Sequence, residues 1–158
     1  MIAAIRQFSF SLILGCALAG PSLAKDPSAL QITDAETGAK VSLNLQELDA
    51  LPQVTFNTMT IWTDGVVVFQ GPSLHDVLVA SGMTGQSLTL TALNDYAIEM
   101  PAPEEGASYP IVATRMNGEI MPVRDKGPFW IVYPYDSELL LRSEEIYSRS
   151  IWQLDKIQ

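Results

Sequence analysis

Cysteine and histidine are nearly missing from this 158-residue chain. The one cysteine, Cys16, lies in an apolar leader that we expect to be removed, which leaves no thiol for a disulfide, a metal or a nucleophile. The one histidine, His75, is next to Asp76 in a predicted helix, and we interpret it as an ordinary surface or capping residue. These absences argue against a Ser–His–Asp hydrolase and against a zinc centre.

Basic residues are also scarce, since nine lysines and arginines stand against 18 acidic residues, a formal net charge of −9. Such a chain should repel nucleic acid and anionic membrane surfaces. It contains no glycine-rich phosphate-binding motif. The apolar run over 8–20 is shorter than the roughly 20 residues that cross a bilayer. With 47% hydrophobic residues, the chain is nevertheless not a disordered acidic tail.

The N-terminal segment predicts export. A single cation, Arg6, precedes the apolar run, and Ser22-Leu23-Ala24 then supplies small residues at the positions that a signal peptidase inspects. We therefore predict a cleavable signal peptide over 1–24 and one domain over 25–158. The alternative is a lipid anchor at Cys16, because Ile-Leu-Gly-Cys is similar to a lipoprotein processing site.

Helix and strand signals mix without a regular βαβ alternation, which predicts an α+β domain. A capping-box pattern at Asn44 and Glu47 predicts one helix, and Ser73 and Gly82 bound a second. A third helix is predicted over 137–147, and 25–33 is interpreted as a short lead-in. Strands are predicted over 54–62, 66–69, 88–93, 96–100, 109–116, 119–121, 129–133 and 151–157.

Two tight turns are predicted within the strand-rich region. Asn94-Asp95 should connect one hairpin, and Asn117-Gly118 is the strongest two-residue hairpin signal in the chain. The strand over 66–69 is wholly apolar, so we expect both of its faces to be buried.

The segment 114–136 combines positive charge with aromatic rings. Three of the nine basic residues, Arg115, Arg124 and Lys126, precede four aromatic side chains within this segment. Clustered cations and flat rings would suit a planar, polar ligand. The alternative interpretation is a hairpin with a charged loop, followed by a core strand.

The order of several short motifs resembles the sulfite-oxidase-type molybdopterin-binding domain family. That family has an Asn-Gly hairpin, a Gly-x-Pro loop, an apolar strand ending in proline and a glycine-to-leucine helix entry. The corresponding segments here are FQGPSLHDVL at 69–78, NDY at 94–96, MP at 100–101, NGEIMP at 117–122, KGP at 126–128 and IVYP at 131–134. The resemblance covers 54–134 and implies a single mixed-sheet domain of that type.

The departures from the family concern its metal. The molybdenum-ligating cysteine of the family falls near Thr60, and a hydroxyl does not replace a soft thiolate ligand. Lys126 stands where sulfite oxidases commonly have histidine, and Trp130 where they often have arginine. The resemblance therefore implies a pterin-shaped pocket and makes a molybdenum cofactor unexpected.

Short, exported, cysteine-poor relatives of this fold offer a closer resemblance. These are similar to periplasmic pterin-binding proteins that act with membrane-bound enzymes making or degrading cyclic di-GMP. The resemblance implies a non-catalytic periplasmic protein that binds a metal-free, reduced pterin. It would report occupancy to a membrane signalling partner, such as a cyclic di-GMP enzyme or a sensor kinase.

The chemistry of a pterin selects the candidate ligand-binding residues. Carboxylates can accept from its amine and N–H edge, arginines can donate to its carbonyl, and aromatic rings can stack on its face. With the hydroxyl near the missing cysteine, the candidates are Thr60, Trp62, Asp95, Tyr96, Arg115, Arg124, Asp125 and Trp130. Each also has a structural interpretation: Trp130 can belong to the core, Tyr96 can cover a hairpin and Asp95 can be a turn residue.

Two other functions stay open at this point. One is an oxidoreductase that holds molybdopterin through ligands other than cysteine. The other is a protein-interaction module with an empty, vestigial pocket.

Overall fold

The computed structural model of the chain describes residues 28–83 and 85–158. The predicted signal peptide over 1–24 and the alternative lipid site at Cys16 lie outside these residues. Strands and short helices mix along the described part, so the predicted α+β class is confirmed. None of the helices described here is long and apolar enough to span a membrane.

The regular secondary structure of the described residues consists of three sheets and three α-helices, with two 3₁₀ turns. In chain order the elements are β1 (Leu30–Thr33), β2 (Lys40–Leu43), α1 (Leu45–Asp49), β3 (Gln53–Met59), β4 (Val66–Pro72), α2 (Leu74–Ser81), β5 (Ser87–Ala92), β6 (Ala97–Pro101), β7 (Ile111–Ala113), β8 (Arg115–Met116), β9 (Glu119–Ile120), β10 (Trp130–Val132), α3 (Glu144–Arg149) and β11 (Leu154–Ile157). Two 3₁₀ turns, Val123–Asp125 and Leu139–Arg142, join the later elements.

The largest sheet has the strand order β2-β1-β11-β5-β6, and a four-stranded sheet has the order β3-β4-β8-β9. Strands β7 and β10 form a separate two-stranded sheet. The predicted closing strand lies in the middle of the first sheet, where β11 is parallel to β1 and antiparallel to β5. The interpretation of 25–33 as a lead-in is wrong, because its last four residues are β1. Leu30–Thr33 does alternate between apolar and polar residues, but four residues is the shortest run in which such alternation indicates a strand.

The predicted helix boundaries that rest on capping residues are confirmed. Asn44 Oδ1 accepts the backbone N–H of Glu47 at 3.0 Å, and Glu47 Oε2 accepts that of Asn44 at 2.8 Å. Ser73 caps α2 by accepting the backbone N–H of Asp76 on its Oγ at 3.0 Å, and Gly82 ends the helix with φ 70°. The predicted third helix is wrong over its first half. Ser143 starts a new helix there, so a 3₁₀ turn precedes α3.

Both predicted hairpins are present, with β5 paired to β6 and β8 paired to β9. The predicted single strand over 109–116 is divided between two sheets, because β7 pairs with β10 while β8 pairs with β4. The break falls at Thr114, whose backbone N–H donates to the carbonyl of Gln70 at 2.9 Å.

The expectation that both faces of the VVVF segment are buried is wrong. In β4, Val67 and Phe69 are buried, whereas Val66 is 62% and Val68 37% exposed. Neighbouring strands satisfy the backbone of β4 on both edges, but nothing in the described residues covers its outer face. An apolar run alone does not distinguish this arrangement from a fully buried strand.

Gly71 allows β4 to cross β7, which joins the four-stranded sheet to the two-stranded one. A Cβ at this position would lie 2.0 Å from the carbonyl oxygen of Val112. Backbone hydrogen bonds on both sides of Gly71 hold β4 close to β7, because Leu74 N donates to Pro110 O at 2.8 Å and Thr114 N donates to Gln70 O. A side chain at position 71 therefore has no space.

We expect Gly71→Ala to lower the free energy of unfolding by about 3 kcal/mol, measured by urea denaturation, because the added methyl must displace backbone. The matched control is Gly85→Ala, whose Cβ would meet nothing closer than Ser87 O at 3.6 Å. This control should change stability by less than about 0.5 kcal/mol. Equal effects of the two variants would contradict the assigned role of Gly71.

Candidate functional site

A cavity of about 350 Å³ opens where four separate segments meet. These are the loop after β3, the turn between β5 and β6, the end of α3 and the residues that precede β11. The lining residues are Trp62, Ala92, Asn94, Tyr96, Tyr147, Ser148, Ser150, Ile151 and Trp152. We call this space the aromatic cavity.

The rings of the aromatic cavity are arranged around Trp62. Its ring centroid lies 5.9 Å from that of Trp130, 5.8 Å from that of Tyr147 and 5.6 Å from that of Trp152. All three contacts are edge-to-face, the geometry that aromatic pairs favour. The three tryptophans of the chain therefore meet in one cluster, although they are far apart in sequence.

Thr60 positions Trp62 through the backbone. The Thr60 hydroxyl oxygen accepts the backbone N–H of Trp62 at 3.0 Å and lies 2.9 Å from the hydroxyl of Thr63. Thr60 is buried, and its hydroxyl is used within this turn. The structure therefore places Thr60 beside the cavity as a support for Trp62, and does not place it among the lining residues.

Trp130 belongs to the core. It has no exposed surface, its ring lies 5.3 Å from that of Phe69, and its indole N–H donates to the carbonyl of Ser150 at 3.2 Å. The prediction that Trp130 contacts a ligand does not fit this position. Its influence on the cavity is exerted through Trp62 and Ser150, which do line it.

The end of α3 is held in place by a buried hydroxyl pair. Ser150 Oγ lies 2.5 Å from the hydroxyl of Tyr135 and 2.9 Å from the carbonyl of Ile146. Burial raises the pKa of Tyr133 to about 12, and it also raises the pKa of Tyr135. The Tyr135 phenol therefore stays neutral at ordinary pH and holds Ser150 in the cavity wall.

Among the residues that the structure describes, the lining contains polar side chains but no charged ones. Asn94 Oδ1 accepts the backbone N–H of Tyr96 at 3.1 Å, which directs part of the amide to its own turn. Ser148 Oγ donates to the carbonyl of Glu145 at 2.7 Å, so its oxygen keeps acceptor capacity. Aromatic walls with an amide and a hydroxyl suit a flat, uncharged ring that forms a few directed hydrogen bonds.

Asp95 and Tyr96 occupy the predicted hairpin turn. Tyr96 lines the cavity and is half exposed, as the prediction of a ligand-facing ring requires. Asp95 has φ 63° and an exposed side chain, and its Oδ1 lies 3.8 Å from Lys156 Nζ. Asp95 is not among the lining residues, so its interpretation as a turn residue is the one that fits.

Arg115 is committed to a structural ion pair. Its two terminal nitrogens donate to the two carboxylate oxygens of Asp49 at 2.5 and 2.7 Å, which connects β8 to the end of α1. The guanidinium lowers the pKa of the Asp49 carboxyl, and the carboxylate raises the pKa of Arg115. Arg115 does not line the aromatic cavity.

Arg124 and Asp125 lie exposed on a 3₁₀ turn. Asp125 Oδ1 is 3.7 Å from Lys126 Nζ, which in turn lies 5.7 Å from the centroid of the Trp130 ring. Gln153 holds the turn by donating from Nε2 to the carbonyl of Val123 at 2.7 Å. Neither Arg124 nor Asp125 lines the aromatic cavity.

Of the eight residues predicted from the sequence, Trp62 and Tyr96 line the cavity, and Thr60 supports it. Sequence reasoning missed Asn94, Tyr147, Ser148 and Trp152. Asn94 was interpreted as a turn residue and the segment around Tyr147 as a plain helix. The signal that was available is composition, because Trp152 is one of only three tryptophans in the sequence.

Within residues 28–83 and 85–158, no group of three or more His, Cys, Asp and Glu side chains is placed to hold a metal ion. Comparison with known proteins finds no protein-family model and no curated protein that matches the chain. The structure itself defines the class of protein: a mixed α+β domain with an aromatic cavity whose described lining has no charged side chain.

We expect Asp49→Asn to lower the free energy of unfolding by about 1 kcal/mol at pH 7, because it removes a partly exposed bidentate ion pair. The pKa of Asp49 is lower in the folded state, so its contribution is present above the unfolded pKa of about 3.9 and is lost as pH falls through the folded value. Urea unfolding at pH 7 and pH 3 should therefore show the difference shrinking in acid.

The control for this experiment is Asp64→Asn, which changes an exposed carboxyl that has no ion pair among the described residues. It should be nearly neutral at both pH values. A wild-type advantage over Asp49→Asn that is equally large at pH 3 would contradict the assignment to the carboxylate.

Proposed function

We propose that this chain is a non-catalytic, exported binding protein for a flat heterocycle of the pterin class, held in the aromatic cavity. The observation that carries the proposal is the meeting of Trp62, Tyr96, Tyr147 and Trp152 around one opening. Aromatic side chains supply apolar area at little conformational cost and offer faces and edges to a planar ring.

The size of the cavity supports a small ligand. Its volume of about 350 Å³ is at the lower end of the range of about 300–1,000 Å³ found for small-molecule sites. A two-ring heterocycle is compatible with that volume, whereas a dinucleotide would need a larger site. The proposed ligand is a pterin without a metal, in its reduced form.

The polar groups of the lining support an uncharged ring edge. A pterin presents an amide-like edge with N–H donors beside a carbonyl acceptor, and the Asn94 amide and Ser148 hydroxyl offer complementary groups. The sequence-based hypothesis assigned this task to Asp95 or Asp125, which lie outside the lining. A neutral amide forms weaker but still directed bonds, so modest affinity is expected.

A molybdenum cofactor does not fit the donor groups of this chain. No cysteine occurs in the described residues, and the hydroxyl of Thr60, near the position of the family's thiolate, is hydrogen-bonded within its own turn. Oxygen donors of this kind are poor substitutes for a soft thiolate. We therefore derive no redox step for this site.

The finer assignments rest on the sequence resemblance. We propose that residues 25–158 form a domain of the sulfite-oxidase molybdopterin-binding type, that the protein is exported to the periplasm after loss of residues 1–24, and that it reports ligand occupancy to a membrane signalling protein. The α+β class and the short helices are compatible with this proposal. The motif glycines support it, since Gly71 and Gly127 each lie against backbone where a side chain has no space.

Binding is tested by anaerobic titration of the purified protein with tetrahydrobiopterin. We expect quenching of tryptophan fluorescence, because the ligand would lie beside Trp62 and Trp152, and a Kd of about 10 µM or lower by calorimetry. No heat and no quenching at ten times that concentration would overturn the proposed function and favour an interaction module with an empty pocket.

Substitutions test whether the ligand binds in the aromatic cavity or at the 3₁₀ turn that carries Arg124 and Asp125. Tyr96→Ala and Trp152→Ala remove exposed ring surface from the lining, and each should weaken tetrahydrobiopterin binding about tenfold, equivalent to about 1.4 kcal/mol. Arg124→Ala and Asp125→Asn are matched controls that should leave the Kd unchanged. The opposite pattern would move the site to the 3₁₀ turn.

Metal analysis distinguishes binding from redox chemistry. We expect less than about 0.1 molybdenum per chain in protein purified from cells with an intact molybdenum cofactor supply, because the thiolate that the metal requires is missing. Stoichiometric molybdenum would contradict the non-catalytic assignment and favour the oxidoreductase alternative.

A further inference from the structure

A second concave surface lies between the segment 100–110 and the segment 139–149. Its volume is about 570 Å³, and it is more open than the aromatic cavity. Most of its lining is apolar. The apolar contributors include Pro101, Ala102, Pro103, Tyr109, Leu141 and Ile146.

Two leucines project from the edge of this surface. Leu139 is 84% and Leu140 is 82% exposed, more than any other large hydrophobic residue of the described chain. Leu141, the next residue of the same 3₁₀ turn, is buried and lines the concave surface. Single exposed leucines are ordinary, but an adjacent pair beside an apolar groove is typical of a protein-binding site.

Side-chain contacts hold the turn that presents the leucines. Arg142 Nε donates to the carbonyl of Tyr135 at 3.0 Å, and its guanidinium also pairs with Asp136. Asp136 in turn accepts the backbone N–H of Met59 at 2.6 Å. On the other side, the Tyr109 hydroxyl donates to Glu138 at 3.2 Å. A turn fixed in this way needs little further ordering when it binds.

The charges around the leucine pair have one dominant sign. The segments 100–110 and 136–149 contain six carboxylates and two arginines. Both arginines have partners within the same segments, since Arg142 pairs with Asp136 and Arg149 with Glu145. The surface is therefore apolar at its centre and acidic at its rim.

This charge pattern selects the occupant. A second copy of the chain would bring the same acidic rim, and an anionic membrane would also be repelled. We propose that Leu139, Leu140 and the adjoining groove form a docking surface for a protein segment that carries apolar side chains flanked by lysine or arginine. This docking surface does not depend on the proposed ligand. It shares α3 with the aromatic cavity, because Tyr147 lines one and Ile146 the other.

The test begins with a phage-displayed random 12-residue library selected on the purified protein and depleted on the double variant Leu139→Ser/Leu140→Ser. We expect enriched peptides that combine leucine, isoleucine or phenylalanine with lysine or arginine. Substitution at such exposed positions should leave the melting temperature within a few degrees of wild type, which confirms that the double variant is folded. A library that yields no peptide specific for the wild type overturns the proposal.

Synthetic copies of the enriched peptides then measure affinity by fluorescence anisotropy. We expect the double variant to weaken binding at least tenfold. Glu104→Gln/Glu144→Gln should weaken it severalfold and reduce its salt dependence, because rim charges attract the basic flanks. Val79→Ser is the matched control, an exposed apolar residue on α2 that does not line the groove. Equal binding to wild type and double variant, or selection of acidic peptides, overturns the proposal.

Two further measurements test the other possible occupants, which are a second copy of the chain and an anionic membrane. Sedimentation equilibrium should show a monomer that the double substitution does not alter, and vesicles containing phosphatidylglycerol should bind neither protein. Dimerisation or vesicle binding that disappears in the double variant would assign the surface to a second copy or to a membrane and overturn the proposal. None of the docking variants should lose tetrahydrobiopterin binding. A negative result for peptide docking is therefore distinguishable from a negative result for pterin binding.

Discussion

The buried ring of Trp130 is the contact on which the candidate site depends. It lies edge-on against Phe69 of β4 and Trp62 of the following loop, and its N–H bonds to the carbonyl of Ser150. The backbone on either side joins the same region, because Ile131 N donates to Ile151 O at 2.9 Å and Leu154 N donates to Phe129 O at 2.9 Å. The Trp130 side chain thus connects the four-stranded sheet with the end of α3, and the backbone of the neighbouring Phe129 bonds to β11. The aromatic cavity exists where these parts meet.

Ion pairs within the chain help to explain why the charged residues of the predicted site do not line the cavity. In a chain with twice as many acids as bases, five of the described cations lie within 4 Å of a carboxylate: Arg115, Lys126, Arg142, Arg149 and Lys156. Arg115 binds Asp49, while Lys126 lies near Asp125 and over the Trp130 ring. Two of the three cations in 114–136 are therefore paired away from the cavity, whose described lining has aromatic, amide and hydroxyl groups.

Predictions that rest on local chemistry were confirmed. The Asn44 capping box, the Ser73 and Gly82 ends of α2, and the turn at Asn117-Gly118 each depend on groups a few residues apart. Predictions that required knowledge of neighbours were wrong: β1 is defined by its pairing with β2 and β11, and β4 is exposed on one face because none of the described residues packs there. The division of 109–116 likewise depends on which strand lies beside each half.

The sequence by itself determined the α+β class, the helix caps and the hairpins, because these follow from composition and from contacts within one turn. Tertiary structure decided which side chains surround the cavity. Trp62, Tyr96, Tyr147 and Trp152 come from four segments whose meeting depends on sheet pairing and on the close approach at Gly71. It also decided that Trp130 is core and Tyr96 is not, since one aromatic residue cannot be distinguished from another until the packing around each is known.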